Sequence, residues 1–495
     1  MNLLELQNGS DIRGIALKDE KDKKEVNLTP ETAANITGAF AEFLKEKIKK
    51  EKLTITLGRD SRITGKAILE ISAAYLKSLN HEALDCEIAS TPSIFMTTQD
   101  KEIDADGGIM ITASHLPYER NGMKFFTKEG SLNKEDIKKI LEIAEKNYKK
   151  NIIEENLSKN VKKVNYIKRY SDILAEKIVR ETEDEKPLSG MKIIVDAGNG
   201  AGGFFPVNIL KPLGADIEGS LYLEPDGFFP NHEPNPENLE AVKDLQNKVL
   251  EEKADLGIIF DTDVDRAAVV DSEGRVINRN RLIALISKII LKEHPNSYIV
   301  TDSITSKGLK KFIEENGGIH HRYKRGYKNV IDEAIRLNKL GKESWLAIET
   351  SGHCALKENY FLDDGAYLIV KLLIEFSKIK NENKNFSDLI KDYKDPLEEK
   401  EIRIKILEKD FKSYGQEVIK DLENFIKIQD DWTKVEPNYE GVRVNCEEGE
   451  GWFLLRLSLH DPKIVINIES DKEDGTNVIE ERIMRFLHNF KGLDL

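Results

Sequence analysis

A short apolar strand that ends in a polar, glycine-rich or acidic loop recurs along this chain of 495 residues. The strand Gly108–Ile111 runs into a loop that contains Ser114, and the strand Leu256–Phe260 runs into an acidic loop. An amphipathic helical pattern usually follows each loop, and alternating strands and helices predict α/β sheets that are mostly parallel. Because ligands bind beyond the carboxyl ends of the strands in such sheets, we expect several of these loops to line one cleft.

The length and the local composition predict four domains. At about 100–200 residues per domain, the chain has room for three or four. Polar or charged stretches at 147–165 and 381–397 and a turn at 272–274 mark the breaks. The last segment is rich in strands and ends in one amphipathic helix, which predicts a smaller α+β domain. The predicted boundaries are 1–162, 163–275 and 276–396 for three mixed α/β domains and 397–495 for the α+β domain.

Charge and cysteine content restrict the partners and the compartment. A net charge of −14 argues against general nucleic-acid binding, which needs a basic surface. No apolar run reaches the ~18–20 residues that span a bilayer, and the N-terminus has no signal-peptide pattern. The three cysteines are far apart and form neither a metal motif nor a disulfide framework. We therefore expect a cytoplasmic protein that binds neither nucleic acid nor membrane.

Three aspartates alternate directly after the strand Leu256–Phe260, at Asp261, Asp263 and Asp265. Carboxylates this close repel one another unless a cation neutralises them, and hard oxygen ligands suit Mg²⁺ or Ca²⁺ rather than zinc. Arg266 follows at once, and a guanidinium beside carboxylates of this kind is typical of sites that hold a phosphoryl group. The pattern therefore favours a metal-assisted phosphoryl site.

The acidic loop is also compatible with other kinds of site. A solvated acidic turn is the simplest of them. An EF-hand is excluded, because Arg266 and Ser272 stand where that loop needs glycine and glutamate. An aspartyl-phosphate enzyme of the haloacid-dehalogenase type remains open, since an apolar strand followed by Asp-x-Asp is its motif and Asp261 would then be the nucleophile.

The loop after the strand Gly108–Ile111 offers a candidate phosphate carrier. The Ser114 hydroxyl could carry a phosphoryl group if a metal neutralised it and a nearby group handled the proton. Lys124 could be that acid or base, or could hold an anion by its charge. Gly122 would allow a tight turn, and His115 would either orient Ser114 or cap the loop.

Four motifs in order give a specific resemblance. They are Thr-Ala-Ser-His-x-Pro, Asn-Gly-x-Lys, Asp-x-Asp-x-Asp-Arg and Glu-x-Ser-Gly-His, which start at Thr112, Asn121, Asp261 and Glu349. Together they resemble the α-D-phosphohexomutase superfamily, above all its bacterial-type phosphomannomutase/phosphoglucomutase branch. The resemblance implies an α/β protein of four domains around a central cleft, with three related domains and a smaller fourth.

The resemblance also implies roles at the reacting end. Ser114 would carry the phosphoryl group, and the three aspartates would hold one Mg²⁺ together with a phosphoserine oxygen. Arg266 would touch the reacting phosphate, and Lys124 would serve as the acid/base. Arg13 resembles an N-terminal arginine that reaches the phosphoserine region.

At the sugar end, Glu349, Ser351 and His353 resemble a sugar-recognition loop. A carboxylate and a hydroxyl can read neighbouring sugar hydroxyls, because a missing hydroxyl would leave a buried polar group unpaired. The segment that carries Arg325 and Lys328 resembles the loop that joins recognition to the metal centre.

A phosphate-binding loop is expected in the last domain. Arg456, Ser458 and His460 would hold the phosphate that does not react. Leu459 and His460 depart from the family pattern at this loop, and Leu116 departs from it in the serine loop.

These resemblances imply a mutase, that is, an isomerase of carbohydrate metabolism that interconverts hexose 1-phosphate and hexose 6-phosphate. Glucose and mannose phosphates are the expected substrates, and a hexose 1,6-bisphosphate would be both intermediate and activator. A phosphoglucosamine mutase is an alternative, although its recognition loop usually has glutamine where this chain has Thr350. A non-catalytic sugar-phosphate-binding relative is another. We expect a monomer, with a dimer through the first domain left open.

Overall fold

The structure, a computed structural model, describes residues 2–18, 25–152, 160–380, 382, 384–458 and 461–495. Its internal contacts divide the chain into two units. The first unit comprises Met1–Leu282 and Ser351–Asp388, and the second comprises Ile283–Thr350 and Leu389–Leu495. Among the described residues, no helix combines the length and the apolar character that crossing a bilayer requires.

The first sheet has eight strands. They are β1 (Gln7–Asn8), β2 (Asp11–Ile15), β3 (Thr54–Arg59), β4 (Glu82–Ile88), β5 (Gly107–Ile111), β6 (Arg120–Thr127), β7 (Gly130–Ser131) and β8 (Lys162–Lys163). The order is β1-β2-β6-β5-β3-β4-β8, and β7 pairs with β6. Strands β3, β4 and β5 are parallel, whereas β6 runs antiparallel to β5 and to β2.

Helices cover both faces of this sheet, and β5 is accordingly buried along its whole length, as expected of a covered central strand. The helices are α1 (Pro30–Ile48), α2 (Gly65–Ser78), α3 (Thr91–Gln99) and α4 (Lys134–Lys146). Side chains of α1, α2 and α4 join those of the strands in one apolar core. Helix α4 begins at a capping box, in which Asn133 accepts a hydrogen bond from the Asp136 amide.

The second sheet also lies in the first unit. Its elements are α5 (Tyr166–Thr182), β9 (Ile193–Asp196), α6 (Leu239–Glu252), β10 (Leu256–Phe260), β11 (Ala267–Asp271) and β12 (Val276–Ile277). The strand order is β12-β11-β10-β9. Strands β9 and β10 are parallel, and β11 returns antiparallel to β10.

The third segment alternates strands and helices as predicted. It consists of α7 (Arg279–Glu293), β13 (Tyr298–Thr301), α8 (Lys307–Glu315), β14 (Ile319–Arg322), α9 (Tyr327–Lys339) and β15 (Ser344–Ile348). Strand β13 lies between β14 and β15, parallel to both. The chain then forms an antiparallel pair and two helices, which are β16 (Cys354–Leu356), β17 (Leu362–Asp363), α10 (Gly365–Lys380) and α11 (Phe386–Leu389).

The last segment is an antiparallel sheet with two helices. Its elements are β18 (Glu398–Ile406), α12 (Phe411–Ile426), β19 (Trp432–Lys434), β20 (Val442–Cys446), β21 (Gly451–Leu457), β22 (Lys463–Ser470), α13 (Gly475–Leu487) and β23 (Leu493–Asp494). The strand order is β19-β20-β21-β22-β18-β23. The predicted fold class, three mixed α/β segments and one α+β segment, is confirmed. Sequence analysis had not identified α12 or β19.

The two loops of greatest interest differ from the expected strand-loop-helix pattern. The loop at Ser114 joins β5 directly to β6, and the acidic loop joins β10 directly to β11. Each loop is therefore the turn between two neighbouring antiparallel strands. The returning strand therefore places its own side chains beside the loop. A helix in that position would have led the chain away from the loop.

Gly122 has a different role from the one expected. It lies within β6 rather than in a turn, and a Cβ there would be 2.3 Å from the Ile12 carbonyl oxygen and 2.6 Å from the Thr112 carbonyl oxygen. Both obstacles are backbone atoms of the neighbouring strand and of the serine loop. Glycine is thus required by close packing of backbones rather than by a turn.

We predict that Gly122→Ala destabilises the first domain by about 1–3 kcal/mol, the usual cost of overpacking. Gly65→Ala is the matched control, since its Cβ would meet only the Arg59 side chain, at 3.4 Å. The control should be neutral or slightly stabilising. Urea unfolding monitored by circular dichroism gives both midpoints, and equal midpoints for the two variants would contradict the argument.

Candidate active site

Ser114 occupies a strained position at the end of β5. Its φ is +51°, in the left-handed region that residues other than glycine rarely adopt. Its amide donates to Thr112 Oγ1 at 2.8 Å, and its own Oγ donates to Asp261 Oδ2 at 2.9 Å. The side chain is buried. Strain of this kind persists only where the surroundings hold it, and it is concentrated at functional sites.

The acidic loop places its three carboxylates together in the interior. Ligand atoms of Asp261, Asp263 and Asp265 all lie within 4.8 Å of one another. Among the residues that the structure describes, Asp263 Oδ1 and Asp265 Oδ1 are buried without a hydrogen-bond donor. Buried carboxylate oxygens without a partner are costly, and a hard divalent cation is the partner that suits them. The cluster could therefore bind a metal ion.

Lys124 supplies positive charge to this cluster from strand β6. Its Nζ donates to Asp263 Oδ2 at 2.9 Å and also to Asp265 Oδ2. Burial lowers the pKa of Lys124, but the two carboxylates outweigh burial and raise the pKa above the usual value. The structure thus shows an ammonium group between two aspartates.

Arg266 lies between the aspartates and the serine loop. Its Nε donates to Asp261 Oδ2 at 3.2 Å, and a terminal nitrogen lies 3.4 Å from Ser114 Oγ. The same nitrogen donates to His115 Nδ1 at 2.7 Å. Burial, together with the charge of Arg266, lowers the pKa of His115 to about 2, so that this imidazole is neutral and accepts. His115 therefore orients Arg266, while its own contact with Ser114 Oγ is 3.4 Å.

His353 is held on the other side of the aspartates, still within the first unit. Its Nδ1 lies 2.5 Å from Asp363 Oδ2, and Asp265 Oδ1 is 4.0 Å away. Burial lowers the pKa of His353, but Asp363 and Asp265 outweigh burial and raise the pKa to about 9. Asp265, His353 and Asp363 could also be grouped as metal ligands, although a protonated imidazole pairs with carboxylates rather than with a cation.

Arg13 acts on the backbone of the serine loop. One terminal nitrogen donates to the Thr112 carbonyl at 2.7 Å, and the other pairs with Asp11 at 2.9 Å. Arg13 thus reaches the serine region through the backbone of Thr112, two residues before Ser114.

The second unit brings together part of the predicted sugar end. Glu349 Oε1 accepts from the Gly326 amide at 2.6 Å, which places the carboxylate at the N-terminus of helix α9. The Arg325 amide donates to Glu440 Oε2 at 3.2 Å, and the Arg325 side-chain Nε lies 3.7 Å from Asp302 Oδ2. Lys328 pairs with Asp332 along α9.

The phosphate-binding loop is only partly described. Arg456 is buried, burial lowers its pKa, and its Nε has no hydrogen-bond partner in the described part of the chain. Ser458 Oγ accepts from the Asp461 amide at 3.3 Å. Leu459 and His460 lie outside the described residues. Ser351 belongs to the first unit, and its buried Oγ likewise has no partner among the described residues.

Sequence analysis missed three residues that complete the site. Thr91 donates from its amide to the Asp263 carbonyl at 2.8 Å and from its hydroxyl to the Asp263 carboxylate. Asn235 accepts from Arg266 at 3.2 Å, and Asp363 pairs with His353. Thr91 follows strand β4 just as the other loops follow their strands, so the strand-end pattern could have found it. Asn235 stands in a loop and Asp363 ends the short strand β17, and neither has a comparable signal.

Comparison with known proteins gives matches along nearly the whole chain. Three family models match, described as phosphoglucomutase/phosphomannomutase alpha/beta/alpha domains I, II and III, at residues 5–151, 168–274 and 278–395. A phosphomannomutase/phosphoglucomutase of Pseudomonas syringae pv. tomato is 30% identical over 97% of this chain and 93% of its own length. A phosphoglucomutase of Neisseria gonorrhoeae is 30% identical over 95% of this chain and 94% of its own length.

A solved structure agrees with the fold. It is that of a phosphoglucomutase/phosphomannomutase family protein from Burkholderia thailandensis, with a TM-score of 0.76 and 24% identity. The alignment covers 97% of this chain and 96% of that chain.

We predict that Asp263→Asn weakens binding of a divalent cation at least tenfold, because it removes one of the orphaned carboxylate oxygens and a unit of negative charge. Mn²⁺ is a suitable probe, and the concentration of free Mn²⁺ is measured by electron paramagnetic resonance. Glu251→Gln, on the exposed face of α6, is the charge-matched control and should bind as wild type does. Equal affinities for all three proteins would mean that the cluster is not a metal site.

Proposed function

Because the chain belongs to the phosphoglucomutase/phosphomannomutase family and is a hexose phosphate mutase, we propose that it transfers the phosphate through a phosphorylated Ser114. The substrates proposed are the 1- and 6-phosphates of glucose and mannose. The intermediate is a hexose 1,6-bisphosphate, which also primes the enzyme. The names of the relatives do not favour a phosphoglucosamine mutase or a non-catalytic relative.

The environment of Ser114 Oγ carries this proposal. The hydroxyl lies within 3.5 Å of the Asp261 carboxylate and of the Arg266 guanidinium, and Lys124 lies against the neighbouring aspartates. A phosphoryl group on this oxygen would lie beside the Arg266 guanidinium, and a cation held by the three aspartates would neutralise its remaining charge, which is the main requirement for phosphoryl transfer. In the aspartyl-phosphate alternative, Asp261 would carry the phosphate instead, and the residue that takes up the phosphoryl group decides between the two.

In the first half of the proposed reaction, the free hydroxyl of a hexose monophosphate attacks phosphoserine in line. A bond forms between the sugar oxygen and phosphorus as the bond between phosphorus and Ser114 Oγ breaks. One proton leaves the sugar hydroxyl and one ends on Ser114 Oγ: the Lys124 ammonium is proposed to give its proton to Ser114 Oγ and to receive the proton of the sugar hydroxyl in return. The bisphosphate then turns end for end, and Ser114 takes up the other phosphate by the reverse steps.

Asp261, Asp263 and Asp265 would hold Mg²⁺, together with the phosphoserine. The ion would supply charge neutralisation and orientation of the transferred group. Arg266, oriented by His115 and Asn235, contributes the same kind of stabilisation from the protein. Arg13 keeps the loop in place through the Thr112 carbonyl.

Recognition of the sugar is proposed for the remaining residues. Glu349 and Ser351 would read sugar hydroxyls. His353, from the same motif, and Arg325 and Lys328, from the segment that precedes it, would also bind the substrate. Arg456, Ser458 and His460 would hold the phosphate that is not being transferred. The orphaned nitrogen of Arg456 and the orphaned hydroxyl of Ser351 support binding of a polar ligand.

We place the enzyme in the cytoplasm, as a monomer that acts on small hexose phosphates. All three cysteines are buried and unpaired, which is typical of a protein from a reducing compartment.

Ser114→Ala should abolish turnover of both glucose 1-phosphate and mannose 1-phosphate, with a loss of at least 10³-fold in kcat, because the phosphate carrier is absent. Wild-type enzyme incubated with glucose 1,6-bisphosphate should gain one phosphoryl group at Ser114, as shown by peptide mass spectrometry. Ser131→Ala, in the same domain on strand β7, is the control. Phosphate found on Asp261 instead would establish the aspartyl-phosphate alternative.

Glu349→Gln should raise KM for both sugars at least tenfold, because one accepting carboxylate oxygen becomes a donating NH2 group and the negative charge is lost. Phosphorylation of Ser114 should remain possible, since the reacting end is intact. Glu314→Gln, on the exposed surface of α8, is the matched control. A change in kcat with an unaltered KM would assign Glu349 to the chemical step rather than to recognition.

A further inference from the structure

The loop after strand β3 carries an arginine whose function the reaction does not yet explain. Arg62 is the last residue of the segment 58–62, which follows an apolar run in the same way as the serine loop and the acidic loop do. Its side chain is only 1% exposed. A guanidinium buried to this degree needs hydrogen-bond acceptors, and their identity shows what the side chain does.

The acceptors of Arg62 are four carbonyl oxygens of the serine loop. One terminal nitrogen donates to the carbonyls of Pro117 at 2.8 Å and Arg120 at 2.9 Å. The other donates to the carbonyls of Ser114 and Leu116. A single rigid group thus binds the backbone at both ends of the turn between β5 and β6.

A negative partner and a covering segment keep this guanidinium in place. Arg62 Nε lies 3.3 Å from Asp60 Oδ2, and the Arg62 amide donates to Asp60 Oδ1 at 2.9 Å. The ring of Phe229 lies over the guanidinium, with the ring centroid 5.2 Å away. At Gly227 a Cβ would come within 2.5 Å of the Ile63 amide nitrogen, so the covering backbone is in close contact with the loop.

We propose that Arg62 is a positioning residue of the phosphoryl transfer. By fixing the carbonyls of the serine loop, it holds Ser114 at its unfavourable φ of +51° and keeps the hydroxyl directed toward Asp261. The inference rests on the proposed role of Ser114 as phosphate carrier. Among the described residues, Arg62 donates to the Ser114 carbonyl and not to its hydroxyl, so its effect passes through the backbone.

The geometry separates this role from simple packing. Asp60 alone would satisfy the charge of Arg62, whereas four carbonyls from one turn are more than neutralisation requires. A planar guanidinium with two donating edges can bridge carbonyls that lie at different points of a turn. A lysine would keep the charge but offers a single ammonium centre, so it should hold the loop less firmly.

Arg62→Lys is therefore the test, with Arg59→Lys, at the end of strand β3, as the matched control. Arg59 is partly buried, and its guanidinium donates to the Asp60 carbonyl rather than to the serine loop. For Arg62→Lys we expect kcat to fall about 100-fold, the cost of a misplacement of roughly 1 Å. KM should stay within about threefold, and circular dichroism should show an intact fold. The control should keep wild-type kcat.

A second measurement does not depend on the reaction. Hydrogen exchange followed by mass spectrometry should show faster exchange in the peptide 112–121 of Arg62→Lys, and unchanged exchange elsewhere in the first domain. In phosphorylated enzyme, the ³¹P resonance of the phosphoserine should broaden or split. Arg62→Gln is shorter, has one donating amide in place of two donating edges and leaves the buried Asp60 carboxylate without its cation, so it should depart from wild type at least as far as Arg62→Lys in both measurements.

The outcomes distinguish this inference from the proposed function. If wild-type Ser114 takes up no phosphate, the proposed function fails, and exchange in peptide 112–121 still decides whether Arg62 fixes the loop. If Ser114 is phosphorylated but Arg62→Lys keeps kcat within threefold and exchanges as wild type does, the inference is overturned. It is also overturned if neither Arg62 variant folds, because Arg62 would then be a requirement of the core.

Discussion

Three carboxylates buried side by side are the interaction on which the rest of the first unit depends. Burial raises the pKa of Asp261, and repulsion from the charges of Asp265 and Asp263 raises it further. The pKa of Asp265 is shifted in the opposite direction. Burial raises it, but Lys124 and the other nearby cations outweigh burial and lower it. The negative charge is retained only because Lys124 and Arg266 come from two different sheets to balance it. The site therefore couples the first and second sheets.

The sequence located the candidate residues of this site better than it predicted the local fold around them. Ser114 and the aspartates could be found because the loops that bear them follow apolar strands, and that pattern depends only on local residues. The hairpin geometry could not be predicted, because whether a helix or a strand follows a loop depends on what packs against the returning chain. For the same reason Gly122 was assigned to a turn, since contacts between distant backbones leave no local signal.

Positioning residues are also hard to predict, because they act on the backbone. Arg62 donates to carbonyls of the serine loop, and any residue type can offer a carbonyl. Arg13 makes a contact of the same kind and was found only through the family resemblance. Thr91 holds the acidic loop from the start of helix α3 in a similar way. Such contacts fix geometry before substrate binds, and catalysis by charge stabilisation requires this preorganisation. The motif residues are thus only part of what the reaction needs.

The direct return of β5 into β6 limits how the serine loop can change in evolution. Lys124 pairs with Met110 and its neighbour Met123 with Ile111, and alternate residues of a strand face opposite sides of a sheet. Inserting or deleting one loop residue, if the strands re-paired around it, would turn Lys124 away from the aspartates and present Met123 or Phe125 in its place. A fixed number of residues in this loop therefore keeps Lys124 beside the aspartates, and substitutions within the loop should disturb the register of β5 and β6 less than insertions or deletions do.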